Sequence, residues 1–269
     1  MIFEMFQYAF MQRALVVGLC IAICAALVGV SLVLRKNSMI GDGLSHTAFS
    51  AFALATVLGF TPIYFAIPVV IAASFFVLRL SRSRKIHGDA AIAALSASSL
   101  AIGTFAISVS KGVNVDLNSY LFGSILSVSW LDVILSLALA TIVIGLYLLS
   151  YHRIFAITFD EDFAKSVGVK TGFYDAIFAA ICSVVVVLGM RLLGSLLISS
   201  LIIFPTLSAM NYSKSFRGVV AYAVIISILA FLVGLVASYA FATPTGATVV
   251  IANLLLFVIS FVLKKIRKD

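Results

Sequence analysis

Apolar runs of close to twenty residues recur along this chain of 269 residues, and short polar or basic stretches separate them. A helix needs about 20 apolar residues to cross roughly 30 Å of hydrocarbon. Hydrocarbon offers no partner to backbone N–H and C=O groups, so a spanning segment is a helix or part of a closed barrel. The runs lack the strict alternation of barrel strands, which leaves helices. Composition agrees: 63% of the residues are hydrophobic and 10% are charged, against about 25% charged in a soluble domain. The fold class read from the sequence is all-α, a polytopic helical membrane protein with a single transmembrane domain over residues 1–269.

Nine spans are expected. They cover about 14–34, 41–60, the segment from the Thr61–Pro62 turn to Leu80, 89–109, 131–151, 172–190, 192–210, 219–241 and 247–263. The count is bounded between eight and ten, because 120–129 and 192–210 each read two ways. Residues 120–129 are apolar but too short to span and are broken by Gly123, which suits a re-entrant or interfacial piece. Pro205 falls inside the seventh span, where it removes a backbone hydrogen bond and is expected to kink the helix.

The formal charge of +8 suggests nucleic acid until its positions are examined. Arg35, Lys36, Arg79, Arg82, Arg84, Lys85, Lys214, Arg217, Lys264, Lys265, Arg267 and Lys268 sit at the ends of apolar runs. That is the positive-inside pattern, and it excludes a nucleic-acid partner while expecting lipid. Placing those ends in the cytoplasm puts the N-terminus outside. Glu4 and Arg13 precede a run long enough to stay as a span, so no cleaved signal peptide is expected. Cys20, Cys24 and Cys182 lie in apolar runs without a CxxC and read as packing residues.

Against this background Asp42 and His46 stand out. Four residues apart, they share one helix face, one turn from each other. An ionisable pair inside a span is expensive and marks function unless a simpler role explains it. Carboxylate with imidazole suits a divalent transition metal: zinc, manganese or ferrous iron. The simpler reading makes Asp42 a helix N-cap with Ser45 at N3, and His46 a packing residue. Two ligands are an incomplete shell, which a transported ion needs in order to leave. A second copy of the chain could supply another Asp/His pair. Among the remaining polar residues, His87, His152 and Arg191 read as interfacial, Asp132 as a helix cap, and Ser195 with Ser199 as small residues for close packing.

The longest polar insertion is 152–171. Thr158 and Glu161 fit a capping box, acidic Asp160, Glu161 and Asp162 fill a first turn, and Gly168 suits a C′ stop. A short cytoplasmic helix is expected over Phe159–Val167, with Phe163 and Val167 as its apolar stripe. A helix held by lipid would carry a basic polar face. The acidic first turn favours a protein partner over the membrane surface.

Four segments carry a resemblance to the membrane permeases of ATP-binding-cassette importers for zinc, manganese and iron. They are Met39-Ile-Gly-Asp-Gly-Leu-Ser-His46, Tyr120-Leu-Phe-Gly123, the stretch from Phe159 to Val169, and Leu193-Gly-Ser-Leu-Leu-Ile-Ser-Ser-Leu-Ile-Ile-Phe-Pro205. The resemblance implies that Asp42 and His46 hold Zn2+, Mn2+ or Fe2+ in transit, with no permanent cofactor. It implies that Phe159, Asp160, Glu161, Asp162, Phe163, Lys165 and Gly168 contact a cytoplasmic ATP-binding subunit. It further implies a homodimer or paired permease, and an extracytoplasmic metal-binding protein that delivers the ion. The chain itself has no GxxxxGK[ST] to cradle ATP phosphates, so it is expected to be a transport subunit and not an enzyme. In two places the chain departs from the family. Some zinc-type members carry a His in the fourth span, whereas Leu95-Ser-Ala-Ser-Ser-Leu100 has none, and Thr-Leu-Ser follows Pro205 in place of Ala-Ala-Thr. The alternative is an ion-coupled secondary metal transporter, which would place ionisable residues at the midplane.

Overall fold

The computed structural model describes residues 4–81, 88–110, 123 and 128–266. Most of the 120–129 piece, with Tyr120 of the resemblance, and the basic residues Arg82, Arg84, Lys85, Arg267 and Lys268 lie outside the described residues. A 3₁₀ turn over Glu4–Gln7 leads into α1 (Ala9–Leu34). There follow α2 (Ile40–Leu58), α3 (Pro62–Ser81), α4 (Gly88–Val109) and α5 (Trp130–Leu149). Two short helices, α6 (Tyr151–Phe159) and α7 (Glu161–Ser166), precede α8 (Thr171–Leu193). The chain continues through α9 (Ser195–Tyr212), α10 (Phe216–Phe241) and α11 (Thr245–Ile266).

Among the described residues eight helices are long and apolar enough to cross a membrane, and α2 is not one of them. The helix is 19 residues long but carries Gly41, Asp42, Gly43, Ser45, His46, Thr47 and Ser50. A helix this polar is costly against lipid, and α2 is instead packed among α3, α4, α8 and α9. The expected second span is therefore an inner helix of the bundle. The first span begins at Ala9, five residues earlier than read from hydropathy, and Arg191 lies in the last turn of α8 instead of between spans.

At the centre of the bundle α1 packs on α5, α8, α9 and α10, while α10 and α11 flank α9 on one side. Lipid tails are as apolar as Leu, so helices associate in a bilayer through close packing and interhelical hydrogen bonds. Both are present. A Cβ added to Gly29 of α1 would lie 2.2 Å from the Ile202 carbonyl oxygen of α9, so only glycine permits that approach. Ser227 Oγ donates to the Ala22 carbonyl oxygen at 2.9 Å, joining α10 to α1. Thr47 Oγ1 and Ser99 Oγ lie 3.2 Å apart, joining α2 to α4. On the outside, Ile102, Phe105, Leu148, Leu149, Phe241 and Phe261 are exposed, as a lipid-facing surface requires.

Pro205 lies inside α9, and the helix runs on to Tyr212. Thr206 Oγ1 donates to the Ile202 carbonyl oxygen at 3.3 Å, a side-chain bond beside the place where proline supplies none.

Candidate metal-transfer site and docking element

Asp42 is the third residue of α2, after Met39 as N-cap, so it is not itself the cap. His46 follows one turn later, and its Nε2 is 3.7 Å from Asp42 Oδ2. That distance is beyond hydrogen-bonding range, yet shorter than two metal–ligand bonds of about 2.1 Å each laid end to end. One cation can therefore touch both atoms. His46 Nδ1 is buried with no hydrogen-bond partner. A buried unsatisfied polar atom costs about 1–3 kcal/mol, and a cation held at Nε2 leaves Nδ1 as it is.

A third residue joins the pair. Ser199 Oγ of α9 donates to Asp42 Oδ1 at 3.3 Å and also reaches the Ser195 carbonyl oxygen at 3.3 Å. Spacing along α9 showed only that Ser195 and Ser199 share a face. Asp42 lies 157 positions earlier in the chain and had no local signal linking it to them. Ser45 Oγ donates to the Asp42 carbonyl oxygen at 2.7 Å, which helps to fix the first turn of α2. Among the described residues no group of three or more His, Cys, Asp or Glu could hold a metal ion.

The short helix expected over Phe159–Val167 differs in detail from its sequence reading. Helix α6 runs through Thr158, which is buried, so Thr158 is not the cap. Asp160 is the cap instead, and its Oδ1 accepts from the Phe163 N–H at 2.8 Å. Glu161 and Asp162 fill the first turn of α7 as expected. Gly168 has a φ of +85°, and its N–H donates to the Lys165 carbonyl oxygen at 3.0 Å. That is the left-handed stop read from the sequence. Phe159, Phe163 and Val167 are all exposed, while Ala164 is buried against the bundle. Lys165 Nζ lies 2.9 Å from Glu161 Oε1 and 3.5 Å from Asp162 Oδ1. The Glu161 carboxylate beside it, hydrogen-bonded to it, holds the Lys165 ammonium above the usual lysine range.

Two partly buried ion pairs were not readable from local pattern. Arg191 Nη1 donates to Asp132 Oδ1 at 2.8 Å, joining the end of α8 to the start of α5. Asp132 is fully buried and also completes a capping box with Ser129. Arg35 Nη1 donates to Asp175 Oδ1 at 2.7 Å, across 140 positions. Arg191 and Asp132 each read as self-sufficient interface residues in the sequence, and their pairing depends on how α5 and α8 meet.

Known proteins share this architecture. The chain is 30% identical over 255 residues to the manganese import system permease protein ScaB of Streptococcus gordonii, spanning 95% of this chain and 91% of that one. It is 28% identical to the high-affinity zinc uptake system membrane protein ZnuB of Haemophilus influenzae, over 95% of this chain and 97% of that one. The structure of PsaBC from Streptococcus pneumoniae in complex with a Fab superposes with a TM-score of 0.85 at 29% identity, covering 97% of this chain and 95% of that chain. Apolar helices of spanning length and membrane permeases as relatives make this a multi-pass membrane protein. Matched from residue 7 to residue 264, the chain belongs to the ABC 3 transport family.

Proposed function

We propose that this chain is the permease subunit of an ATP-driven importer that carries zinc or manganese, with ferrous iron as a further cargo its ligands accept. Asp42 and His46 bind the ion in transit. The observation that carries this reading is the open pair: Nε2 and Oδ2 lie 3.7 Å apart, close enough for one cation to bridge them. A divalent cation placed between the two side chains satisfies both and remains under-coordinated, which keeps release fast. A second copy of the chain, supplying its own Asp42 and His46, completes the shell.

Energy comes from a cytoplasmic ATP-binding subunit that docks on and around α7, where Phe159, Phe163 and Val167 are each exposed near the Asp160–Asp162 acidic turn. An extracytoplasmic metal-binding protein delivers the ion. Ion-coupled secondary transport, the alternative read from the sequence, does not agree with membership of the ABC 3 transport family.

The test is metal uptake into cells whose growth depends on this transporter. Asp42→Ala and His46→Ala are each expected to abolish Zn2+ or Mn2+ accumulation at unchanged membrane abundance. Normal accumulation in either variant overturns the site assignment.

A further inference from the structure

Arg35, at the C-terminal end of α1, touches α7 and lines a cavity with Ile40 at the start of α2. Its Nη1 donates to Asp175 Oδ1 of α8 at 2.7 Å, and its Nη2 lies 3.6 Å from Glu161 Oε2 of α7. The two contacts are unequal. The Asp175 carboxylate is 4% exposed and Arg35 is 18% exposed, so their hydrogen-bonded pair is sheltered and firmly held. Glu161 is 33% exposed, and its contact to Arg35 has Coulomb attraction without hydrogen-bond geometry. Such a contact tightens or opens at small cost when α7 moves.

Arg35 is also tied to the metal pair. Only five residues, 35–39, separate α1 from α2, and they form a hydrogen-bonded unit. The Lys36 N–H donates to the Val33 carbonyl oxygen at 3.0 Å, the Asn37 N–H to the Leu32 carbonyl oxygen at 2.8 Å, and the Ile40 N–H to the Asn37 carbonyl oxygen at 3.2 Å. Lys36 adopts a left-handed φ of +59°, a conformation that costs a non-glycine residue about 1–2 kcal/mol and persists only where the surroundings enforce it. A connector of this kind has no slack to absorb a displacement. Asp42 lies two residues beyond Ile40. Arg35, Asn37 and Ile40 line the same small cavity as Asp175, so the first turn of α2 and the anchor of Arg35 are neighbours in space.

We propose that Arg35 is a positioning residue for transport: its guanidinium, anchored on Asp175, conveys movement of α7 through Glu161 to the α1–α2 connector and so to Asp42. This rests on the reading of α7 as the ATPase docking element. Arg35 touches neither the ion nor the partner; it acts through the connector.

The test uses the complete transporter in proteoliposomes, recording Mn2+ taken up per ATP hydrolysed. Arg35→Lys keeps a positive charge on Asp175, so the fold stands, but a point charge cannot span both carboxylates as the planar fork does. The variant is expected to retain its ATPase subunit and to hydrolyse ATP within two-fold of wild type, while Mn2+ per ATP falls about five-fold. If Arg35→Lys does not accumulate in membranes, Arg35→Gln with Asp175→Asn removes both charges and is expected to show the same fall. A wild-type ratio in the variant that accumulates overturns the relay. Failure of the wild-type chain to bind any ATPase subunit overturns the docking reading instead.

Discussion

Asp42 Oδ1 accepts from Ser199 at 3.3 Å, a contact between α2 and α9 that holds the carboxylate toward His46. A hydrogen bond of this kind contributes about 1 kcal/mol. Ser199→Ala is therefore expected to raise the KM for metal uptake about five-fold without lowering membrane abundance, as measured by initial uptake rates. Asp132 is a different case, because it is fully buried and its charge is balanced by Arg191. Removing one partner of a buried pair costs about 3 kcal/mol, since the other charge stays behind. Arg191→Ala is expected to lower the Tm of the detergent-solubilised protein by several degrees. Adding Asp132→Asn is expected to recover most of that loss. At this scale the sequence showed Asp42 and His46 because a helix turn makes them neighbours. Ser199 and Arg191 meet their partners only through interhelical packing, which no local spacing records.

At the scale of the element, α7 is short and depends on its two ends. Asp160→Ala removes the side chain that accepts from the Phe163 N–H, and loss of such a cap costs about 1 kcal/mol. Gly168→Ala strains a residue at φ +85° where no neighbour lies within 4 Å, so its cost, about 1 kcal/mol, is conformational alone. Each change is expected to weaken retention of the ATPase subunit in a pull-down, and the two together more than either. Lys165 adds little pH dependence: its raised pKa means that its contact with Glu161 is complete below the ordinary lysine value and lost only as pH rises above it. Retention is therefore expected to stay level across the neutral range. The helix was readable because acidic residues and a terminal glycine punctuate an otherwise apolar chain. Its cap was misplaced by two residues because α6 carries helical structure through Thr158, and hydropathy did not distinguish α6 from a loop.

For the whole molecule, the approach of α1 to α9 sets the arrangement of the centre. Gly29→Ala puts a methyl 2.2 Å from the Ile202 carbonyl oxygen, which is backbone and cannot rotate away. Overpacking of this kind costs about 1–3 kcal/mol. Because α9 also carries Ser199, the variant is expected to lose both thermal stability in detergent and metal uptake. Gly145→Ala, with nothing within 4 Å, is expected to change neither and serves as the control. Hydropathy alone determined that the chain is a helical membrane protein, because hydrocarbon permits few other ways to satisfy a backbone. It also marked where the long helices lie and that Asp42 and His46 share one face of α2, because both follow from period and length along one segment. It read α2 as one more span, since a hydropathy profile cannot report that four neighbouring helices pack around a polar one. The pairing of Asp132 with Arg191, of Arg35 with Asp175 and of Asp42 with Ser199 was decided only by tertiary structure, because each joins positions more than fifty residues apart.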